Sequence, residues 1–353
     1  MKELFRKLCQ IYMRSVTFFG RSSIVFSIFN KDLKNIILSA SVDSEICFIP
    51  EFSKGSISDW ETLINNKRSF LFDKLIGKYK TYFENKDFFV IDRLPRGDLN
   101  RHAALIAASK SDVKVVYLDH GETGFEYPEG YAHWIKYADY FYANNTETKE
   151  YVQRLAKEQK SDIIIKERKR NIPVIRKSVS KRTLMFVPSF YNGELLIGNY
   201  SDTLKYKHRV VLIGYFNHLV KYWGVDVFWS GLSLANAVCD PMNRIIFENN
   251  LFKYKENKCN KLLLKCNYFL TDAVSTPFYD ACDLGIPSLC LYWEGGSPIR
   301  EDVLKQFGKS IYVFNDIETA KLKIKDLIIN PQQYINKPIH TANPDKFPWE
   351  QIC

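Results

Sequence analysis

Apolar residues fall along the chain in short runs, and the runs alternate in kind. "FFVIDRLPRGDLNRHAALIAASK", starting at Phe88, reads as an apolar strand, a Pro-Gly turn and a helix carrying Ala103, Leu105, Ile106, Ala107 and Ala108. "VKVVYL" predicts the next strand, "HGETGFEYPEG" a loop, "YAHWIKYA" a short helix and "DYFYAN" another strand. "TETKEYVQRLAKE" then predicts a helix with Thr146 as its N-cap. Strands alternating with helical segments predict a parallel sheet with crossover helices.

The alternation stops at residues 165–182, "IKERKRNIPVIRKSVSKR", where eight basic residues accompany a single acid. It restarts with the strand "TLMFVP" at 183–188. A helix, "KHRVVLIGYFNHLVKYW", and a strand, "VDVFWSG", come next, and the stretch to Asn250 shows no clear period. Beyond it, "ENKCNKLLLKC" predicts a helix, "NYFLTD" a strand, Ser275 to Leu284 a helix and "SLCLYW" a strand, with Gly285 and Pro287 as helix stop and strand entry. The predicted architecture is α/β, two doubly wound Rossmann-like domains with a ligand crevice at the carboxyl ends of the strands. The expected division is 1–164, a basic linker 165–182, a second domain 183–335, and a tail 336–353 returning to the first domain.

A length of 353 residues exceeds the usual size of one core, which agrees with two domains. Apolar residues at 46% and charged residues at 25% fit a folded protein. Apolar runs such as Ile24 to Phe26 fall far short of the ~20 residues of a membrane-spanning helix. The start, "MKELFRKLCQIYMRSVTFF", is interrupted by Glu3, Arg6, Lys7 and Arg14, so a cytoplasmic location is expected. Eight scattered cysteines without a CxxC pair suggest reduced, structural thiols and no zinc knuckle. The net charge of +10 favours a polyanion, an anionic bilayer surface or a phosphorylated substrate. Aromatic residues are spread along the chain and do not interleave one basic stripe, so no nucleic-acid partner is expected. The basic run 165–182 reads as a solvated linker or as a contact with anionic lipid headgroups.

Three stretches carry candidate chemistry. In "NYFLTDAVSTPFYDACDLGIP" a strand delivers Thr271 and Asp272, and Ser275 and Thr276 open a helix whose Phe278, Ala281 and Cys282 can face the sheet. A helix N-terminus with two hydroxyls suits a diphosphate, although Ser275 can equally serve as a plain cap. In "VPSFYNGE", Ser189, Asn192 and Gly193 form a strand-end turn able to meet phosphates. In "YLDHGETGFEYPEGY", Asp119, His120 and Glu122 flank Gly121 at a strand end, where a histidine can be structural or can act as a base.

These stretches and their order resemble the two-domain GT-B glycosyltransferases, especially the CDP-glycerol glycerophosphotransferases and related bacterial capsule and O-antigen transferases. The likeness rests on His120-Gly121, "ADYFYANNTETKEYV", Val187-Pro188-Ser189, "TDAVST" and Gly285-Ile286-Pro287, over about residues 86–330. "HGETGFEY" departs from the TPLK-like run of the glycerophosphotransferases, and the His-Pro pair of the second domain is replaced by "VDVFWSGLSLANAVCDP". Neither His208 nor His218 stands in that context.

The resemblance implies transfer of a sugar or polyol phosphate from a nucleotide-activated donor, a cytidine nucleotide among the candidates, to a lipid-linked or oligosaccharide acceptor of a growing surface polysaccharide. His120 is then the general base, Asp119 its orienting partner and Glu122 the rival base. Ser189, Asn192, Gly193, Thr271, Asp272, Ser275 and Thr276 are expected to bind the donor, with Arg244, Arg300 and Lys305 to neutralise its phosphate. Tyr127 and His133 are expected to line the acceptor site, His133 alternatively being packed. No metal and no resident cofactor are expected, and the enzyme would sit peripherally on the inner face of the membrane. The alternatives are a nucleotide-sugar 2-epimerase of the same fold and a non-catalytic glycan- or nucleotide-binding protein.

Overall fold

The computed structural model describes residues 24–27, 47–48, 68–92, 99–119, 121, 124–125, 128–168, 182–189, 202–231, 250–256, 259–296, 298–338 and 345–348. The chain divides into two compact units. The first comprises Met1–His120, Pro128–Asn171 and Thr341–Cys353, and the second Gly121–Tyr127 and Ile172–His340.

The first unit contains β1 (Ile24–Ser27), β2 (Cys47–Phe48), α1 (Arg68–Phe83), β3 (Phe88–Ile91), α2 (Leu99–Ala108), β4 (Lys114–Leu118), α3 (Pro128–Tyr137), β5 (Tyr140–Ala143), α4 (Thr146–Glu158) and β6 (Ile164–Glu167). Its strands pair in parallel in the order β2-β1-β3-β4-β5-β6. Phe88 to Ile91 are all buried, as expected where helices cover both faces of a parallel sheet. The alanines of α2 at 103, 104, 107 and 108 are buried as well. Under α3, Trp134 stacks on Tyr117 with ring centroids 3.7 Å apart.

Two expectations are corrected here. Asn145, not Thr146, is the N-cap of α4: its side chain accepts from the Thr148 N–H, and the Thr146 hydroxyl donates to Glu167 Oε2. The expected linker also begins inside the sheet. Ile164–Glu167 pairs with β5, and Arg168 is buried with its guanidinium donating to the Asp119 carbonyl at 3.1 and 3.2 Å. Arg168 is thus a packing group of this unit and is withdrawn from the expected lipid contact. Residues 169–181 lie outside the described residues.

The second unit contains β7 (Thr183–Val187), α5 (Asp202–Trp223), β8 (Asp226–Gly231), β9 (Lys253–Glu256), α6 (Cys259–Leu263), β10 (Tyr268–Thr271), α7 (Thr276–Asp283), β11 (Ser288–Trp293), α8 (Glu301–Phe307), β12 (Ile311–Phe314) and α9 (Ile317–Ile329). Its strands are parallel in the order β12-β11-β10-β7-β8-β9. Successive strand residues feed two separate cores. Leu184, Phe186, Leu270, Leu289 and Leu291 join one with Leu212, Phe216, Trp229 and Ile324. Met185, Phe269 and Cys290 join the other with Phe278, Cys282, Val303 and Phe307. Alternation of side chains across a pleated sheet produces this split, and it explains why the strands read as continuous apolar runs. Burial pushes the thiols of Cys259, Cys282 and Cys290 up, so they pack as neutral groups.

Residues 336–338 stay with the second unit, where Asn336 donates to Ser310 Oγ. The return to the first unit involves Asp345, Lys346 and Phe347. The Asp345 N–H donates to the Glu167 carbonyl, Tyr142 donates its hydroxyl to the Lys346 carbonyl at 2.8 Å, and Phe347 packs on the Tyr142 ring.

Candidate functional site

In the second sheet the chain enters at the centre with β7, runs outward through β8 and β9, and returns as β10 on the other side of β7. The strand order therefore reverses between β7 and β10, and in open parallel sheets ligands bind at the carboxyl side of such a reversal. Val187 and Thr271 are register partners there. Ser189 and Asp272, two of the expected donor residues, follow them.

A third residue joins this pair. Arg209 lies on the core-facing stripe of α5 with Leu212, Ile213 and Phe216, and is 1% exposed. Its Nε and Nη2 donate to Asp272 Oδ2 at 3.1 and 2.6 Å. Nη2 also donates to the carbonyl and the hydroxyl oxygen of Ser189, at 2.6 and 3.2 Å. The Ser189 N–H donates to Asp272 Oδ1. Burial of Asp272 favours its neutral form, but the Arg209 charge and hydrogen bonds, with those from Ser189, prevail and hold the carboxyl below its usual range. Ser189 and Asp272 thus engage each other and Arg209. Thr271 is also used internally, since its hydroxyl bonds to both the N–H and the carbonyl of Ala273 at 3.3 Å.

Ser275 and Thr276 behave differently. Ser275 is the N-cap of α7 in extended conformation, yet its side chain makes no capping hydrogen bond. Both residues are half-buried, and Pro277 occupies the first turn. The helix is held from behind by buried Phe278, Tyr279, Ala281 and Cys282. It is closed by Gly285 at φ 63°, with Ile286 N–H to Ala281 O and Gly285 N–H to Cys282 O, a Schellman arrangement. A rigid helix start therefore presents the Ser275 hydroxyl, which its own cap does not use, with Thr276 next to it in the first turn.

The stretch that follows β4 ends on this helix. The Gly124 N–H donates to the Val274 carbonyl at 3.0 Å, and the Arg300 N–H donates to the Gly124 carbonyl at 2.8 Å. Phe125 bridges to Ile299 and packs on Tyr292, with ring centroids 5.3 Å apart. A Cβ placed on Gly121 would lie 2.7 Å from Thr276 Oγ1, so the Gly121 backbone sits directly against that hydroxyl. Gly121 belongs to the second unit although the sequence division assigns it to the first.

The remaining expected residues are placed as follows. Asp119 is buried in the first unit, its N–H bonded to the Tyr142 carbonyl and its own carbonyl taken by Arg168. Arg300 has a fully buried side chain whose Nη2 lies 3.3 Å from Asp302 Oδ2, and Lys305 is exposed on α8. His133 lies in α3. His208 is buried between Trp293 and Phe314, and burial lowers its pKa. His120, Glu122, Tyr127, Asn192, Gly193 and Arg244 lie outside the described residues. Among the described residues no cluster of three or more His, Cys, Asp or Glu side chains could hold a metal ion, and no helix is long and apolar enough to cross a membrane.

No protein-family model and no curated protein matches the chain. Solved structures do. The UDP-N-acetylglucosamine 2-epimerase of Rickettsia bellii superposes with a TM-score of 0.52 at 8% identity, covering 88% of this chain and 87% of that one. MurG of Acinetobacter baumannii gives 0.48 at 8% identity, covering 88% and 91%. TarM gives 0.44 at 12% identity, covering 74% of this chain and 53% of that one, so the chain matches about half the length of TarM. The fold is that of the GT-B enzymes, with two Rossmann-like domains.

Proposed function

We propose that the protein is a nucleotide-donor-dependent transferase that moves a glycosyl or polyol-phosphate group onto a growing cell-surface polysaccharide. The observation that carries this reading is the start of α7. Ser275 and Thr276 stand at the dipole-positive end of a helix beside the strand reversal, with the Ser275 hydroxyl unused by its own cap. A diphosphate suits that set of donors. The Asp272 charge next to it is neutralised by Arg209, so an incoming anion meets no free carboxylate there.

In this reading His120, adjoining Gly121, takes the proton of the acceptor hydroxyl. The acceptor oxygen bonds to the transferred carbon or phosphorus, and the bond to the nucleotide's phosphate oxygen breaks. Asp119 precedes the histidine and orients it, and Glu122 is the competing base. Tyr127 and His133 line the acceptor, Asn192, Gly193 and Arg244 complete the donor site, and no metal takes part. The acceptor is lipid-linked or an oligosaccharide, and basic residues beyond Arg168 hold the enzyme against the anionic inner face of the membrane.

The test is thermal unfolding with CMP, CDP, UDP, GDP and their sugar or polyol conjugates. A ligand at 100 times its Kd adds about 2.7 kcal/mol of stability. Product analysis with the stabilising conjugate then decides the reaction. Free nucleotide released only with acceptor supports transfer, an epimerised sugar shows the 2-epimerase, and binding without turnover shows a non-catalytic protein.

A further inference from the structure

Arg209 has no place in the sequence motifs, yet it joins three parts of the second unit: α5, the turn after β7 and the turn after β10. Its guanidinium reaches the Asp272 carboxylate and the Ser189 carbonyl at 2.6 Å each, and the Ser189 N–H closes the ring on the other carboxylate oxygen. Ala273 and Val274, buried behind Asp272, carry the chain directly into Ser275 and Thr276.

We infer that Arg209 is a positioning residue for the donor site: it neutralises Asp272 and fixes the turn that aims Ser275 and Thr276, without touching the ligand. The inference rests on the donor reading given above. A guanidinium fork is required, because a lysine ammonium cannot bond the carboxylate and the Ser189 carbonyl in the same plane. Without the fork, a carboxylate is left buried beside the phosphate position, and both its repulsion and its loosened turn weaken anion binding.

The experiment measures CDP and UDP binding by calorimetry from about pH 8 to pH 5.5 for the wild type, Arg209→Gln, Arg209→Lys, and Arg209→Gln combined with Asp272→Asn, a range chosen to span protonation of a buried carboxyl. Arg209→Gln is expected to weaken binding about 10- to 100-fold near pH 8 and to recover as Asp272 protonates on acidification. The double variant should bind within a few fold of wild type with no such pH dependence. His208 and Cys290 also face Asp272, but both remain in the double variant, so a pH dependence that survives there belongs to them.

Weakening that is independent of pH and not rescued by Asp272→Asn overturns the inference, because Arg209 would then contact the ligand. If Arg209→Gln does not fold, the double variant, which leaves no buried charge unpaired, and Arg209→Lys carry the test. If wild type binds neither nucleotide, the donor reading fails. The positioning role is then decided by hydrogen exchange, where Arg209→Lys should speed exchange across 187–189 and 271–276; unchanged exchange in both segments overturns it.

Discussion

Gly124 and Val274 are joined backbone to backbone, N–H to carbonyl at 3.0 Å, and a Cβ on the glycine would overlap the Val274 side chain and press on Val303. The turn that opens α7 is therefore roofed by a strip of chain from between β4 and α3. The glycine is needed for close approach, so the space for a side chain is missing on the side where the backbone bond forms.

Gly124→Ala should consequently destabilise the protein by about 1–3 kcal/mol, the usual cost of overpacking a filled site. Val274 is fully buried and branched at Cβ, so it cannot swing aside as a long surface side chain would. Urea unfolding measures the loss. A change below about 0.5 kcal/mol, the scale of a neutral surface substitution, would show that the strip lifts away at little cost.

Acid should act through Asp272. Its folded pKa is depressed by Arg209 and Ser189 against the effect of burial, so its contribution to stability is complete above the ordinary carboxylate value of about 3.9 and is lost as pH falls through the folded value. Asp272→Asn should destabilise by about 3–5 kcal/mol at neutral pH, because Arg209 stays buried without its counter-charge. The gap between wild type and variant should narrow below about pH 4. A gap that stays constant down to acid-induced unfolding would mean that Asp272 does not titrate with folding.

Much of this arrangement is legible in the chain, and the parts that are not have physical reasons. β7, β10 and β11 are apolar but for one hydroxyl residue at an end of each, because their residues serve two cores, and runs such as "TLMFV" and "SLCLYW" show this directly. β9 is hidden because "KYKE" is an edge strand in which lysines blunt the unpaired side. β6 is hidden because its Lys166 and Glu167 merge into the basic run that follows. Arg209 escapes notice because a lone arginine in a helix ordinarily signals a solvated face. The available clue is its spacing to Leu212, Ile213 and Phe216, which puts it on the buried stripe. The strand-end residues Ser189 and Asp272 are recognisable as a pair of turns, but their mutual engagement depends on that unread arginine.

The two helix starts should respond differently to loss of their caps. Asn145 Oδ1 accepts from the Thr148 N–H at 2.8 Å, so Asn145→Ala should cost about 0.5–2 kcal/mol of stability. Ser275 makes no such bond, so Ser275→Ala should cost far less. Combined with Thr276→Ala it should instead weaken nucleotide binding by about 1–3 kcal/mol. Stability is read by urea unfolding and affinity by calorimetry. A double variant that binds nucleotide unchanged would place the phosphates elsewhere.

The base should reveal itself by separating binding from turnover. Gly121 abuts Thr276, and His120 immediately precedes Gly121 in the chain. If His120 is the proton acceptor, His120→Ala should keep nucleotide affinity within a few fold while turnover falls about 100- to 10,000-fold, the usual range for general-base catalysis. The residual rate should also lose the rise with pH that deprotonation of the imidazole imposes. Glu122→Gln tests its neighbour in the same assay. If that variant loses turnover and His120→Ala does not, the base is Glu122; if both remain fully active, the loop only roofs the helix and the proton acceptor lies outside it.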